Sequence, residues 1–200
     1  MTEFSLRQAE EADIDAVVAA CAEAFTDEAV YAWAVTDPAT AAGFFHATLV
    51  PAIRARQVLL AETDAGMVTG TAIWVDLDTA APIHAEAAVL ATMPGTVGGR
   101  IAAVAAATAA VHPDEPHLFL SAMAVRPPFR GRGTGAALLS HTLAEADERR
   151  RPAYLEASTA RSRELYLRHG FRDTGEPIQL PDAGPRLYPM WRPSPPRPMP

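Results

Sequence analysis

Apolar and polar residues alternate through "FSLRQA", the pattern of a short half-buried strand. They then fall at helical spacing through "EEADIDAVVAACAEAF", whose acidic start can cap a helix. "DPATAAGFFHATLVPAIRARQ" predicts a second helical segment, with Pro38 near its first turn and an interruption at Pro51. "VLLAET" and "MVTGTAIWVDL", joined by "DAG", predict the clearest hairpin of the chain. Residues 79–116 read as Ala-rich helix punctuated by "MPG" and "GG". Next come a strand, "HLFLSAMAV", a glycine-rich turn, a helix to about Arg150 and a further strand, "PAYLEAS". A helix closed by Gly170, "ARSRELYLRHG", precedes two last strands around "EPIQL" and "RLYPMW". Residues 193–200 form a proline-rich tail whose composition predicts disorder, and no segment repeats.

A length of 200 residues suits one domain, expected over residues 1–192. Charge, Gly or Pro breaks every apolar stretch well short of the roughly 18 residues that a membrane span needs. "MTEFSLRQAEEAD" has acidic residues where a secretory leader would be basic and then apolar, and the lone Cys21 allows no internal disulfide. A cytoplasmic protein is the expectation. The net charge of −7 is unevenly spread: up to His117, 4 Arg face 16 acidic residues, and from Leu118 onward 13 Arg face 8. Such asymmetry suits a protein with one part that holds an anion and another that attracts a cation. It equally suits a solvated surface with a basic tail.

The run "RGRGTG", Arg130 to Gly135, lies between an apolar strand pattern and a helical one. Glycines there expose backbone N–H groups without Cβ obstruction, and the helix start adds partial positive charge, so an anion is the natural guest. The phosphate loop of nucleotide hydrolases needs a lysine, and this chain has none. Gly131, Gly133 and Ala136 fit the dinucleotide pattern G-x-G-x-x-A, with Glu156 ending the next strand. However, "RPPFR" separates the turn from its strand, and too few strand–helix units remain after Glu156.

Read instead as R-x-x-G-x-G, with Arg130, Gly133 and Gly135, the segment "AMAVRPPFRGRGTGAALL" resembles the GNAT superfamily of N-acetyltransferases. "YLEAS" followed by "ELYLRHGF" resembles that family's next strand and its Tyr-bearing helix. The N-terminal strand, helix and hairpin also match in order, and the second half is most similar to the puromycin N-acetyltransferase branch. The resemblance implies an α/β (α+β) fold with a mixed, mostly antiparallel sheet of six to seven strands flanked by helices. Two central parallel strands splay apart to admit acetyl-CoA. Backbone groups of Met123, Ala124 and Val125 are expected to pair with the pantetheine arm. Gly131, Gly133, Thr134, Gly135 and Ala136 are expected to hold the pyrophosphate, with Arg130 and Arg132 adding charge. The family often has an Asn near the start of the last helix; this chain has Thr159, Arg161 and Ser162 there, and that contact stays unassigned.

An alkylamine with a pKa near ~10.4 is nucleophilic in only about one molecule in a thousand at neutral pH, so an acceptor of that kind must lose a proton. Glu156 is the best candidate base, with a charge-paired strand-end carboxylate as the alternative reading. Asp76, Asp78, His84, Glu86 and His112 are further candidates from the acidic middle of the chain. The resemblance places Tyr166 where a phenol protonates the leaving thiolate; the alternative is a core tyrosine. Tyr31, Trp33 and Trp74 are candidate walls of an acceptor pocket, or core. The expected reaction is N-acetylation of a small cationic amine. The alternatives are a protein or peptide acetyltransferase and a CoA-binding relative without turnover. No metal, nucleic acid or membrane partner is expected, and the chain is expected to be a monomer or homodimer.

Overall fold

The computed structural model of the protein describes residues 4–35, 38–92 and 95–196. Its first half contains β1 (Ser5–Gln8), α1 (Ile14–Phe25), α2 (Ala29–Ala34), α3 (Pro38–Arg54), β2 (Val58–Glu62) and β3 (Val68–Leu77). The acidic middle forms α4 (Ala81–Leu90) and α5 (Gly95–Ala109). There follow β4 (His117–Val125), α6 (Thr134–Glu148), β5 (Ala153–Ala157), α7 (Ala160–Arg168), β6 (Arg172–Asp173), β7 (Ile178–Gln179) and β8 (Arg186–Arg192). Two compact units result, residues 1–75 with 120–141, and residues 76–119 with 142–200, so that β4 contributes to both.

In the first unit β1 pairs antiparallel with β2, β2 antiparallel with β3, and β3 with β4. The expected hairpin is therefore present, with a register shift at Ala61/Glu62. Val17, Cys21, Leu49, Ile53, Val58 and Leu60 form its buried core, contributed by α1, α3 and β2. Removing such side chains from water is the main favourable term in forming this layer, at about 1.5–3 kcal/mol for each large one. Arg7 on β1 donates to both Asp13 and Glu62 at 2.7–2.8 Å and ties the strand to the start of α1.

In the second unit β4 and β5 run parallel, with Leu118 opposite Ala153 and Phe119 opposite Tyr154. All five residues of β5 pair antiparallel with β8, which also pairs with β6 and β7. Arg192 closes this unit with a bidentate bond to Asp147 at 2.6 and 2.7 Å. The class is the one expected, mixed α/β and mostly antiparallel with one parallel pair.

Some details differ from the sequence reading. The strands number eight among the described residues rather than six to seven; β6 is a two-residue strand with no hydrophobic pattern to announce it. The six-residue α2 was not expected either; it is capped by Glu28, which accepts from the Tyr31 amide at 2.7 Å. Pro51 does not interrupt α3, because its carbonyl still accepts from Ala55 while Ala52 and Ile53 anchor that turn in the core. A proline costs its own N–H bond, and burial of its neighbours offsets that loss. Residues 193–196 follow β8 without regular structure, whereas 197–200 of the expected tail, and Met93 and Pro94 of the expected "MPG" break, lie outside the described residues.

Candidate functional site

The chain leaves β4 at Val125, makes one 3-10 turn over Pro127–Phe129, and enters the glycine run. Gly131 and Gly133 have φ of +77° and +90°, in the region that L side chains avoid, which is why the turn needs glycine at these two places. A Cβ built on either would meet nothing within 4 Å, so the space before the turn is open. The Gly133 carbonyl accepts from Ala137 at 2.9 Å as the first helical bond of α6. The N–H groups of Thr134, Gly135 and Ala136 precede that bond and carry the positive end of a 15-residue helix. The arrangement is suited to a phosphate.

Arg130 does something other than reach into that space. Its guanidinium donates to Asp27 at 2.5 and 2.8 Å, to the Ala24 carbonyl at 2.7 Å and to the Val125 carbonyl at 3.0 Å. Four of its five N–H donors are thereby occupied in pinning the turn to the end of α1. Arg132 is exposed, its guanidinium 5.8 Å from the Phe129 ring centroid. Beneath the turn, the Arg126 amide donates to Thr69 at 2.9 Å and its guanidinium pairs with Glu23 at 2.6 Å. A Cβ on Gly70 would lie 2.9 Å from the Ala124 carbonyl and 3.2 Å from the Thr134 methyl. Gly70 thus lets β3, the end of β4 and the first residue of α6 meet closely. A glycine inside the strand pattern "VTGTAIWV" was the available signal for this approach. Of the expected pantetheine residues, Met123 and Val125 are half-buried and Ala124 is buried.

In the second unit Tyr166 lies on α7, buried, with its ring 5.9 Å from that of Phe171. Thr159 and Ser162 spend their hydroxyls on the capping box that starts this helix, and Arg161 is exposed. Glu156 and Tyr154 share one face of β5, since alternate strand residues point the same way. The Glu156 side chain is 8% exposed, and its Oε1 lies 3.8 Å from Nδ1 of His112.

Residues 19–171 match the acetyltransferase (GNAT) family. The chain belongs to that family. Its GNAT membership makes it an acyltransferase. Among solved structures, a Corynebacterium glutamicum protein described as histone acetyltransferase HPA2 and related acetyltransferase superposes with a TM-score of 0.72. Its identity is 24%, over 98% of this chain and 99% of that one. The Drosophila melanogaster polyamine N-acetyltransferase, which forms N-acetylagmatine, superposes with a TM-score of 0.69 at 16% identity over 95% of this chain and 99% of its own. The PaiA N-acetyltransferase of Thermoplasma acidophilum in complex with coenzyme A gives 0.60 at 11%, covering 95% and 98%.

The remaining candidates of this GNAT chain separate clearly. Asp76 pairs with Arg149 and Arg151, and Asp78 with Arg151, so both are structural ion-pair partners. His84 and Glu86 are exposed on α4. His112 alone of the five is buried, and it faces Glu156. Tyr31 stacks on Phe45 at 5.1 Å and contacts Phe25 and Phe44, an aromatic cluster at the edge of the first unit's core. Trp33 is half-buried, and Trp74 is buried on β3 with no hydrogen-bond partner for its indole N–H. Asp27, Gly70, His117 and Tyr154 were missed in the sequence. No helix among the described residues is long and apolar enough to cross a membrane, and no group of three or more His, Cys, Asp or Glu there could hold a metal.

Proposed function

We propose that this GNAT chain works as a single acetyltransferase domain over residues 1–192. It transfers the acetyl group of acetyl-CoA to the amine of a small cationic molecule, by direct attack in a ternary complex. The observation that carries the reading is the open glycine turn at the start of α6, with φ positive at Gly131 and Gly133 and free N–H groups behind it. In this reading Gly131, Gly133, Thr134, Gly135, Ala136 and Arg132 hold the pyrophosphate. Met123, Ala124 and Val125 offer backbone groups to the pantetheine arm, and Arg130 shapes the turn by its bonds to Asp27 and Ala24. The coenzyme A bound by the Thermoplasma relative supports the choice of donor.

A cationic acceptor is supported by the acidic first part of the chain and by the polyamine-acetylating Drosophila relative. An aminonucleoside or aminoglycoside-like amine, cytoplasmic action and a role in antibiotic resistance complete the reading for a chain of the puromycin N-acetyltransferase kind. Glu156 accepts the ammonium proton. The neutral amine attacks the thioester carbonyl, the C–S bond breaks, and Tyr166 protonates the leaving thiolate. The name of the Corynebacterium relative favours one second reading, a protein or peptide amine as acceptor.

Thiol release from acetyl-CoA, measured with agmatine, tyramine, an aminonucleoside, an aminoglycoside and an N-terminal peptide, tests this reading. Amine-dependent release with a small cation is the expected result. Release with the peptide alone selects the second reading. Tight CoA binding with no release for any amine refutes transfer to these acceptor classes.

A further inference from the structure

Two buried histidines beside Glu156 have no part in the reaction as described so far. His117 is fully buried, and its Nδ1 lies 2.6 Å from the Glu115 carbonyl oxygen. A carbonyl can only accept, so Nδ1 of His117 carries a proton. Burial first pushes the His117 pKa down, opposed by the Glu115 bond and the charge of Glu156 and aided by the fields of His112 and Arg151; in the neutral ring Nδ1 keeps the proton and Nε2 is an acceptor. The atom 3.1 Å from that acceptor is Nε2 of His112, which must therefore be the donor. A neutral imidazole has one N–H, and His112 spends it there.

In neutral His112, Nδ1 is consequently a lone pair. It is buried without a hydrogen-bond partner, 3.8 Å from Oε1 of Glu156, which is also buried without one. The His112 side chain is 0% exposed and that of Glu156 8%. Nδ1 and Oε1 are two acceptors facing each other out of water, an arrangement that is unfavourable until a proton arrives between them. The proton then turns the contact into a charge-assisted hydrogen bond.

The surroundings hold this geometry in place. Phe119 and Tyr154 meet the His112 ring edge-on at 4.8 and 4.9 Å, while Tyr154 and Trp191 enclose His117 at 5.7 and 5.6 Å. Burial first, then the charge of Glu156 and a side-chain hydrogen-bonding interaction with it, push the Tyr154 phenol far above its usual range, so the phenol stays protonated and is the donor beside Glu156. Arg151, the nearby cation, donates to Asp76, Asp78 and the Leu77 carbonyl.

We propose that His112 and Glu156 form one proton-accepting dyad, Nδ1 and Oε1 taking up a single proton from the acceptor's ammonium. His117 is the positioning residue that fixes the His112 tautomer. The inference rests on the amine-acetylation reading above for the source of the proton. In the balanced step, the ammonium N–H bond breaks and its proton enters the dyad. The neutral amine forms the N–C bond as C–S breaks. The second nitrogen proton replaces the one Tyr166 gives to the thiolate, and the dyad then releases its proton to water.

Histidine-selective 15N NMR on the whole chain without acyl donor tests the dyad apart from any activity. At pH 8 the expected state is His117 protonated at Nδ1 and His112 at Nε2 only. In Glu156→Gln the side-chain amide can donate to the remaining lone pair, so the His112 Nδ1 resonance should move while its Nε2 resonance stays. A proton on Nδ1 of His112 at pH 8, or an unmoved Nδ1 resonance in Glu156→Gln, overturns the proposal. With agmatine as the probe amine, Glu156→Gln should lower kcat/KM at least about tenfold at pH 7, with the deficit shrinking toward pH 10 as the amine deprotonates itself. An equal deficit at every pH also overturns it. Failure of every amine to release thiol would sink the acetyl-transfer reading instead and leave the NMR result to decide the dyad.

Discussion

Replacing Gly70 by alanine adds one methyl group where β3, the end of β4 and the start of α6 meet. The new Cβ would sit 2.9 Å from the Ala124 carbonyl oxygen, 3.2 Å from the Thr134 methyl and 3.3 Å from a Val125 methyl. Carbon and oxygen at 2.9 Å are in steric conflict, and the oxygen belongs to the backbone, so β3 or β4 must move by a few tenths of an ångström. Overpacking of this size costs about 1–3 kcal/mol, and the lower chain entropy of unfolded alanine offsets about 0.4–1 kcal/mol. The expected net loss is about 1–2 kcal/mol, or a fall of about 2–8 °C in Tm for a chain of this length. Thr134 starts α6 and Val125 ends β4, so the shift displaces both flanks of the glycine turn. CoA affinity measured by calorimetry should drop about fivefold, the equivalent of roughly 1 kcal/mol. Gly99→Ala in α5 is the control, since its Cβ would meet nothing within 4 Å. It should gain up to ~1 kcal/mol from helix propensity and leave CoA binding unchanged. A Gly70→Ala protein that melts with the unmodified chain and binds CoA equally well would refute the close-approach argument.

Arg130→Lys keeps one charge but cannot reproduce a fork that serves Asp27 and two carbonyls, so it should weaken CoA binding nearly as much as Arg130→Ala. Full affinity in the lysine variant would show that charge alone matters. Burial pushes the Cys21 thiol up to about 11, against a weaker opposing bond to Thr71. The folded pKa is raised, so this stabilisation is complete below the unfolded pKa of about 8.5 and is lost as pH rises toward 11. Chemical denaturation of the unmodified chain should therefore lose roughly 2–3 kcal/mol more between pH 8 and 11 than that of Cys21→Ala, and parallel curves would contradict it. Tyr166→Phe should lower kcat about 10²-fold with CoA affinity and Tm unchanged if the hydroxyl protonates the thiolate. Full activity removes that role, and a lowered Tm with lost activity points to packing against Phe171.

The sequence alone was sufficient wherever the deciding physics is local. The strand His117–Val125, the glycine run and the helix beginning at Thr134 follow from alternation, from the backbone freedom of glycine and from helical spacing. All three appear where expected. R-x-x-G-x-G and the Tyr-bearing helix were legible for the same reason, each lying within about twenty consecutive residues, and they carried the family and the reaction class. Partnership across the chain was not legible. Arg130 reads as a phosphate ligand until Asp27, 103 residues away, is found bound to it. Gly70 reads as a lapse in a strand until Ala124 and Thr134 are brought against it. Asp76, Asp78, His84, Glu86 and His112 were equivalent as letters, and only the folding of unit two separates the paired and the exposed from the one imidazole left facing Glu156. Hydrophobic periodicity records which way a residue faces. It does not record which distant charge or lone pair will meet it there, because strand pairing and helix docking decide that, and they act between residues that no local pattern connects.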